Sequence, residues 1–362
     1  MLTVVLALVA LQLGSLISPA YACGCGAMVP GRQAQMAVRQ ETSVVAWNGR
    51  TEQIVMRFTV DGNAPEAAWI MPVPSRAEVE LGDRAVFDEL YEVTAPVHRE
   101  RRYFWPRSHD WPFGSDSDSA ADGAMPGAPA PDAAAGVGVV GRERLGDFDV
   151  ARLTATDPDA LREWLEENGF ELPPGLAQEL QPYVDQKWEY VAVRLAPQEK
   201  GSGVVLRGTL DPLRLSFASD RLIYPMRLSR RAKVAQDLQL YVLAPHRMEP
   251  RGSIGGDEPE VTYAGKVSSY GRLSTLTGGG ATFLTALEQS FPEPGRIDGD
   301  HELRAADEDA TFQRVIWEEE LLTVAGAPAW LLTVGGAAAA LAAALVLRAR
   351  ARRRAPVPSP AR

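Results

Sequence analysis

Cysteine is nearly absent. The chain of 362 residues has two, one residue apart, at Cys23 and Cys25. This excludes a disulfide framework, so the fold must be held by burial of apolar surface. Histidine is scarce as well. His98, His109, His246 and His301 match no metal-ligand spacing, and solvated or core positions are expected for all four. Signatures of catalysis are missing: there is no G-x-S-x-G, P-loop, H-E-x-x-H, S-x-x-K or dinucleotide fingerprint. No catalytic, cofactor-binding or metal-binding residue is therefore assigned, and no L-P-x-T-G sorting signal precedes the last apolar run.

Charge is missing from two stretches. From Leu321 to Leu347 no side chain is ionisable, and Trp330–Leu347 reads W-L-L-T-V-G-G-A-A-A-A-L-A-A-A-L-V-L. About twenty apolar residues suffice for a helix to cross a bilayer. Glu318-Glu319-Glu320 precedes this run, and Arg348, Arg350, Arg352, Arg353 and Arg354 follow it. Arginine is retained on the cytoplasmic side, so the bulk of the chain is expected outside and the tail inside. Leu2–Ile17 is the second uncharged stretch, and Ala20-Tyr21-Ala22 offers a small-x-small cleavage site before Cys23. This reads as a signal peptide. No Lys or Arg stands before the run, which leaves open an initiator upstream of Met1.

The organisation expected is a signal peptide over 1–22, an extracytoplasmic domain over 23–328, a membrane helix over 329–347 and a cytoplasmic tail over 348–362. All 47 acidic residues precede the membrane segment, while six of the 37 basic ones follow it. The exported part thus has 31 basic against 47 acidic residues, a balance of −16. So acidic a surface disfavours nucleic acid and anionic lipid as partners.

Gly114–Gly141 lacks aromatics, Lys and Arg, and 24 of its 28 residues are Ala, Gly, Pro, Ser or Asp. It cannot bury enough apolar surface to order itself and is read as a disordered insertion. Around it the pattern is that of strands. T-E-Q-I-V-M-R-F-T-V alternates polar and apolar residues. Strands are expected at Thr42–Trp47, Gln53–Val60, Ala67–Val73, Phe148–Leu153, Tyr190–Leu195, Val204–Leu206, Leu213–Phe217, Leu238–Leu243, Val261–Lys266 and Phe312–Leu322. Asn48-Gly49 is a hairpin signal. Pro72 and Pro74 suggest an edge or a strand end. Helices are expected at Val86–Tyr91, from Pro158 (capped by Asp157) to Asn168-Gly169, at Leu176–Gln186 and at Ala281–Phe291. The fold class is α+β and β-rich, mostly antiparallel with a few short helices, plus one C-terminal transmembrane helix. Strands on both sides of Gly114–Gly141 are expected to share one core.

Cys23-Gly24-Cys25 is the sharpest local motif. It is compatible with a Cys23–Cys25 disulfide, with binding of a soft metal such as Cu(I), with lipidation of Cys23, or with an inert pair. The disulfide is the site expectation carried forward. Asp298-Gly299-Asp300-His301-Glu302 lacks the regular spacing of a calcium loop and reads as a turn. The basic and aromatic stretch Arg99–Phe113 reads as packing rather than as a sugar or lipid platform. Gly278–Gly280 reads as a plain loop rather than an anion site.

Several segments together resemble a known family. They are Ala22-Cys23-Gly24-Cys25-Gly26, the run E-T-S-V-V-A-W-N-G-R-T-E-Q-I-V-M-R at Glu41–Arg57, A-W-I-M-P-V-P at Ala68–Pro74, and P-L-R-L-S-F-A-S-D-R-L-I-Y-P-M-R-L-S at Pro212–Ser229. The resemblance is to the bacterial family catalogued as domain of unknown function 2330. It implies an exported, often membrane-anchored protein, and supplies no activity or catalytic residue. The function expected is a membrane-tethered, non-catalytic binding or envelope-structural module with an envelope protein or polymer as partner. The alternatives are an envelope-polymer hydrolase, or a copper or redox protein using Cys23 and Cys25. Gly335, Gly336, Ala339 and Ala340 give the helix a small-x-x-x-small spacing compatible with a homodimer.

Overall fold

The structure, a computed structural model, describes residues 26–31, 34–110, 142–145, 148–153, 158–172, 175–196, 205–268, 271–278 and 282–353. The chain divides into two units, Met1–Ala95 with Asp132–Arg314, and Pro96–Pro131 with Val315–Arg362.

The first unit is built on two sheets. The larger has nine strands. Its spine begins with the hairpin of β2 (Met36–Trp47) and β3 (Thr51–Gly62). Asn48 braces the turn by accepting hydrogen bonds from the amides of Arg50 (3.0 Å) and Thr51 (2.8 Å), so the central turn residues are Gly49 and Arg50. Gly49 has φ +92°, which a side chain would resist. On the β3 side follow β11 (Leu213–Ala218), β5 (Glu78–Leu81) and the short β10 (Gly208–Thr209). On the β2 side follow β13 (Gln236–Ala244), β16 (Thr282–Phe291), β15 (Glu260–Val267) and β18 (Phe312–Gln313). Pairing is antiparallel except between β2 and β13.

The smaller sheet runs β1 (Ala27–Pro30), β4 (Ala67–Val73), β9 (Glu189–Leu195), β8 (Phe148–Leu153), β7 (Arg142–Leu145). All seven residues of β4 are buried, which explains why A-A-W-I-M-P-V shows no alternation. Pro72 is tolerated because β1 pairs only with Ala67–Ile70 of β4, so that edge is open where the proline lacks its N–H. A third sheet of three short strands, β12 (Leu222–Tyr224), β17 (His301–Ala305) and β14 (Met248–Pro250), completes the unit.

The layers follow from the side chains. Between the two large sheets lies the main core, with Ile54, Met56, Phe58 and Val60 of β3 in one cluster with Trp69, Met71, Val191 and Val193. The outer face of the smaller sheet is covered by α2 (Pro158–Glu167) and α3 (Leu176–Asp185) through Leu161, Leu165, Leu176 and Leu180. The outer face of the larger sheet is covered by α1 (Ala85–Thr94) and the single turn α4 (Ser274–Thr277). There the Arg57 guanidinium stacks 4.4 Å over the Phe87 ring. The order is helix, sheet, sheet, helix, and strands from before and after Gly114–Gly141 pair directly in both sheets.

Gly26 enters β1 at φ +117°, where an added Cβ would sit 2.2 Å from the Ile70 carbonyl oxygen. Gly26→Ala is expected to destabilise by more than about 1 kcal/mol, read as a lower denaturant midpoint with unchanged slope.

The second unit holds a parallel pair, β6 (Val97–Tyr103) with β19 (Val315–Leu321). A tight hairpin follows, of β20 (Thr323–Val324) and β21 (Ala327–Pro328), turning through Ala325 and Gly326 at φ +50° and +81°. It leads into α5 (Ala329–Arg353), which is long and apolar enough to span a membrane.

Three expectations need correction. Ala281–Phe291 is not a helix: Thr282–Phe291 is strand β16, buried on both faces between β13 and β15. Phe312–Leu322 is two strands in different units, parted at Arg314. Leu206 lies in a loop, its amide donating to the Ala64 carbonyl at 2.8 Å, and Val204 falls outside the described residues.

Candidate functional site

The hairpin end of the nine-stranded sheet opens into a cleft of about 340 Å³. Ala46 and Trp47 end β2, Thr51 and Gln53 begin β3, Leu243 is the penultimate residue of β13 and Thr282 begins β16. Thr275, Leu276 and Thr277 of α4 form its roof. Gly278 closes α4 in the left-handed conformation that a C-terminal glycine permits. Among the described residues, no Asp, Glu, Lys, Arg or His lines the cleft.

Hydrogen bonds fix which groups face inward. The Trp47 indole N–H donates to the Ser219 carbonyl at 3.2 Å. The hydroxyls of Thr275, Thr277 and Thr282 donate to the carbonyls of Arg272, Leu273 and Ala244 at 2.8, 3.1 and 2.8 Å. Gln53 Nε2 donates to the Leu276 carbonyl at 3.3 Å. These three threonines thus direct their protons into the protein and keep lone pairs for other partners, while the Thr51 hydroxyl also lines the cleft. The lining is uncharged, rich in acceptors and flanked by an aromatic ring. It suits a neutral ligand with many O–H donors.

A second polar cluster lies in the main core beneath the three-stranded sheet. Tyr224 Oη contacts the Glu41 carboxylate and lies 2.6 Å from Ser43 Oγ. The Ile223 amide donates to Glu52 Oε2 at 3.3 Å, and the Met248 amide to Thr285 Oγ1 at 3.1 Å. These bonds join the small sheet to the large one. Burial alone pushes the Glu52 carboxyl well above its ordinary range, partly opposed by the Ile223 amide. Burial likewise holds His301 down to about 4. His301 is therefore neutral at neutral pH, the Glu52 carboxyl is biased toward its protonated form, and Glu52 Oε1 and His301 Nδ1 have no hydrogen-bond partner. The cluster clamps two sheets inside a closed core.

Other sequence candidates are dispersed. Cys23 and Cys25 fall outside the described residues, as does Gly114–Gly141. Asp300 is a structural brace: its Oδ1 accepts from the amides of Met226 (2.8 Å) and Arg227 (2.9 Å) and from Tyr183 Oη (2.6 Å). His98 pairs with Glu318 and His246 with Asp309, each on the surface. Among the described residues no three His, Cys, Asp or Glu side chains converge as a metal site. The basic-aromatic stretch supplies β6, and Trp105 is exposed with its ring edge-on to Phe104 at 5.1 Å. The cleft itself was not legible: its residues come from five separated segments, and the sequence marked only two of them, the Asn48-Gly49 turn and the loop at Gly278–Gly280.

No curated protein matches the chain. Among solved structures, the crystal structure of baculovirus P35 is similar at a TM-score of 0.31 and 9% identity, covering 78% of this chain and 98% of that one. A likeness that weak transfers neither fold nor activity. The profile of domain of unknown function 2330, described as an uncharacterized protein conserved in bacteria, matches residues 19–304, and the chain belongs to that family.

Proposed function

We propose that this protein is a single-pass, membrane-tethered binding module that is not catalytic. Its extracytoplasmic domain, residues 23–328, holds a neutral, hydroxyl-rich segment of an envelope polymer in the cleft beside Trp47. The observation that carries the ligand class is the uncharged, acceptor-rich lining of that cleft, in a domain whose charge balance is −16. A charged ligand would enter it without a counter-charge, at a desolvation penalty. A polyol gives its O–H protons to the threonine lone pairs and its apolar ring face to the indole. The tether rests on α5 and the arginines that end it, with residues 1–22 removed as a signal peptide.

Two measurements test the reading. Protease added to intact protoplasts is expected to digest residues 23–328 and spare the tail; a protected domain reverses the orientation. Calorimetric titration of the full chain in detergent, with neutral and with uronic-acid oligosaccharides, is expected to show binding of the neutral set only. Thr51→Val is expected to weaken that binding roughly 3–10-fold, the value of one hydrogen bond. Preference for the charged set, or an unchanged affinity in Thr51→Val, sinks the cleft assignment.

A further inference from the structure

The parallel pair β6–β19 has two open outer edges: among the described residues no third strand flanks it. Five consecutive residues in the middle of each strand are exposed. The two edges carry opposite charge. β6 reads V-H-R-E-R-R-Y, and β19 reads V-I-W-E-E-E-L. Inside one chain, Glu319 faces Arg101 and Glu320 faces Arg102 in the observed register, while Glu318 faces Glu100 and bonds His98 instead.

We propose that copies of this chain join edge to edge, the outer edge of β6 in one copy pairing with the outer edge of β19 in the next and repeating the parallel ladder already present within each. Charge selects this occupant. Open strands are commonly protected by charge because a like edge is repelled. Here a second β6 against β6 sets Arg99, Arg101 and Arg102 against themselves, and β19 against β19 does the same for three glutamates. Unlike edges match at two positions against the one Glu318–Glu100 pair, and a second copy brings the unlike edge in a register the backbone already adopts.

The contact is heterologous, since the two surfaces that meet are different, so it propagates to a ring or an open array rather than closing as a two-fold dimer. Two seven-residue edges bury far less than the area of a standard stable interface, so free chains associate weakly. The inference therefore rests on the membrane tether. Confinement in one leaflet raises the effective concentration of co-oriented copies and makes a weak edge sufficient.

The test uses the full chain in native membranes. Chains carrying Arg101→Cys are co-expressed with chains carrying Glu319→Cys, and a short bismaleimide is added. Each chain supplies one of the two new thiols, so a link between them joins different chains. A shift to covalent dimer is expected in the mixed population, and not in either population alone, which also controls for Cys23 and Cys25. His98→Cys with Ile316→Cys, paired in the same register, repeats the test should the first substitutions disturb the ladder. Absence of dimer in both mixed populations overturns the proposal. So does equal dimer in a single-variant population, which would indicate like edges meeting or pairing through α5. Carbonate extraction of the same membranes reports the tether separately: a chain that washes off refutes the tether, while the crosslinking pattern still reads the edge pairing.

Discussion

Replacing Trp69 by alanine is expected to cost about 3–5 kcal/mol, the range for removing a large aromatic from a packed core. Among the described residues Trp69 is the largest fully buried side chain; it sits mid-strand in β4, facing the nine-stranded sheet. Its ring lies 5.7 Å from that of Phe58, tilted by 55°. Strands on both sides of it and helices behind the sheet prevent collapse, so a cavity persists. Globular domains are stable by only about 5–15 kcal/mol, so this loss is a large fraction of the whole. Urea titration is expected to show a lower midpoint with the slope retained, and Trp69→Phe a much smaller drop. A change under about 1 kcal/mol in Trp69→Ala would contradict a core shared by the two sheets.

Acid and alkali are expected to weaken the fold through two different buried groups. His301 is held down to about 4, below its ordinary 6.5, because burial disfavours the imidazolium. Its contribution is full above 6.5 and is lost as pH falls toward 4, a change on the order of 3 kcal/mol. Glu52 behaves oppositely. Its folded value is raised well above 4.5 by burial, so the folded state keeps a proton that the unfolded chain releases. That contribution is full below 4.5 and declines by about 1.4 kcal/mol per pH unit as pH rises through the window up to the raised folded value. Above about 4.5, where the two windows overlap, the slopes have opposite sign. Glu52→Gln is expected to remove the alkaline decline while keeping a carbonyl for the Ile223 amide. His301→Gln is expected to unmask the Glu52 slope in the middle window. Stability from urea titrations at a series of pH values decides it. An alkaline slope identical in Glu52→Gln and its parent rules out Glu52 as the source.

The long alternating runs were legible from sequence because one physical cause dominated each. β3 alternates as a strand with distinct faces does, and Pro158 opens α2 where a proline is expected. The failures share a cause as well. T-F-L-T-A-L-E-Q-S-F contains good helix formers, with Phe283, Leu284 and Leu287 at helical spacing. As a central strand it is apolar on both faces, and period alone does not separate that from a buried helix turn. The short strands β1, β5, β12, β14 and β17 have three to five residues each and exist because larger sheets position them. Asp298–Glu302 looked like a turn able to approach a cation. Asp300 instead accepts three protein hydrogen bonds, and His301 opens β17. The cleft and the core clamp were illegible because their members meet only after the chain has closed on itself.

The parallel seam between β2 and β13 also sets the order in which the chain folds. Gln40 lies against Asp237 there, and on the other flank of the hairpin Ile54 lies against Leu215. Synthesis proceeds from the N-terminus, so the β2–β3 hairpin emerges long before either neighbour. Until then it carries two bare flanks lined with Val, Ile, Met and Phe, and closing the intervening stretches carries an entropic penalty that must be met before any pairing repays it. Folding is therefore slow, and waits for roughly the last third of the first unit to arrive. During that interval the nascent hairpin is the segment most in need of a holding chaperone.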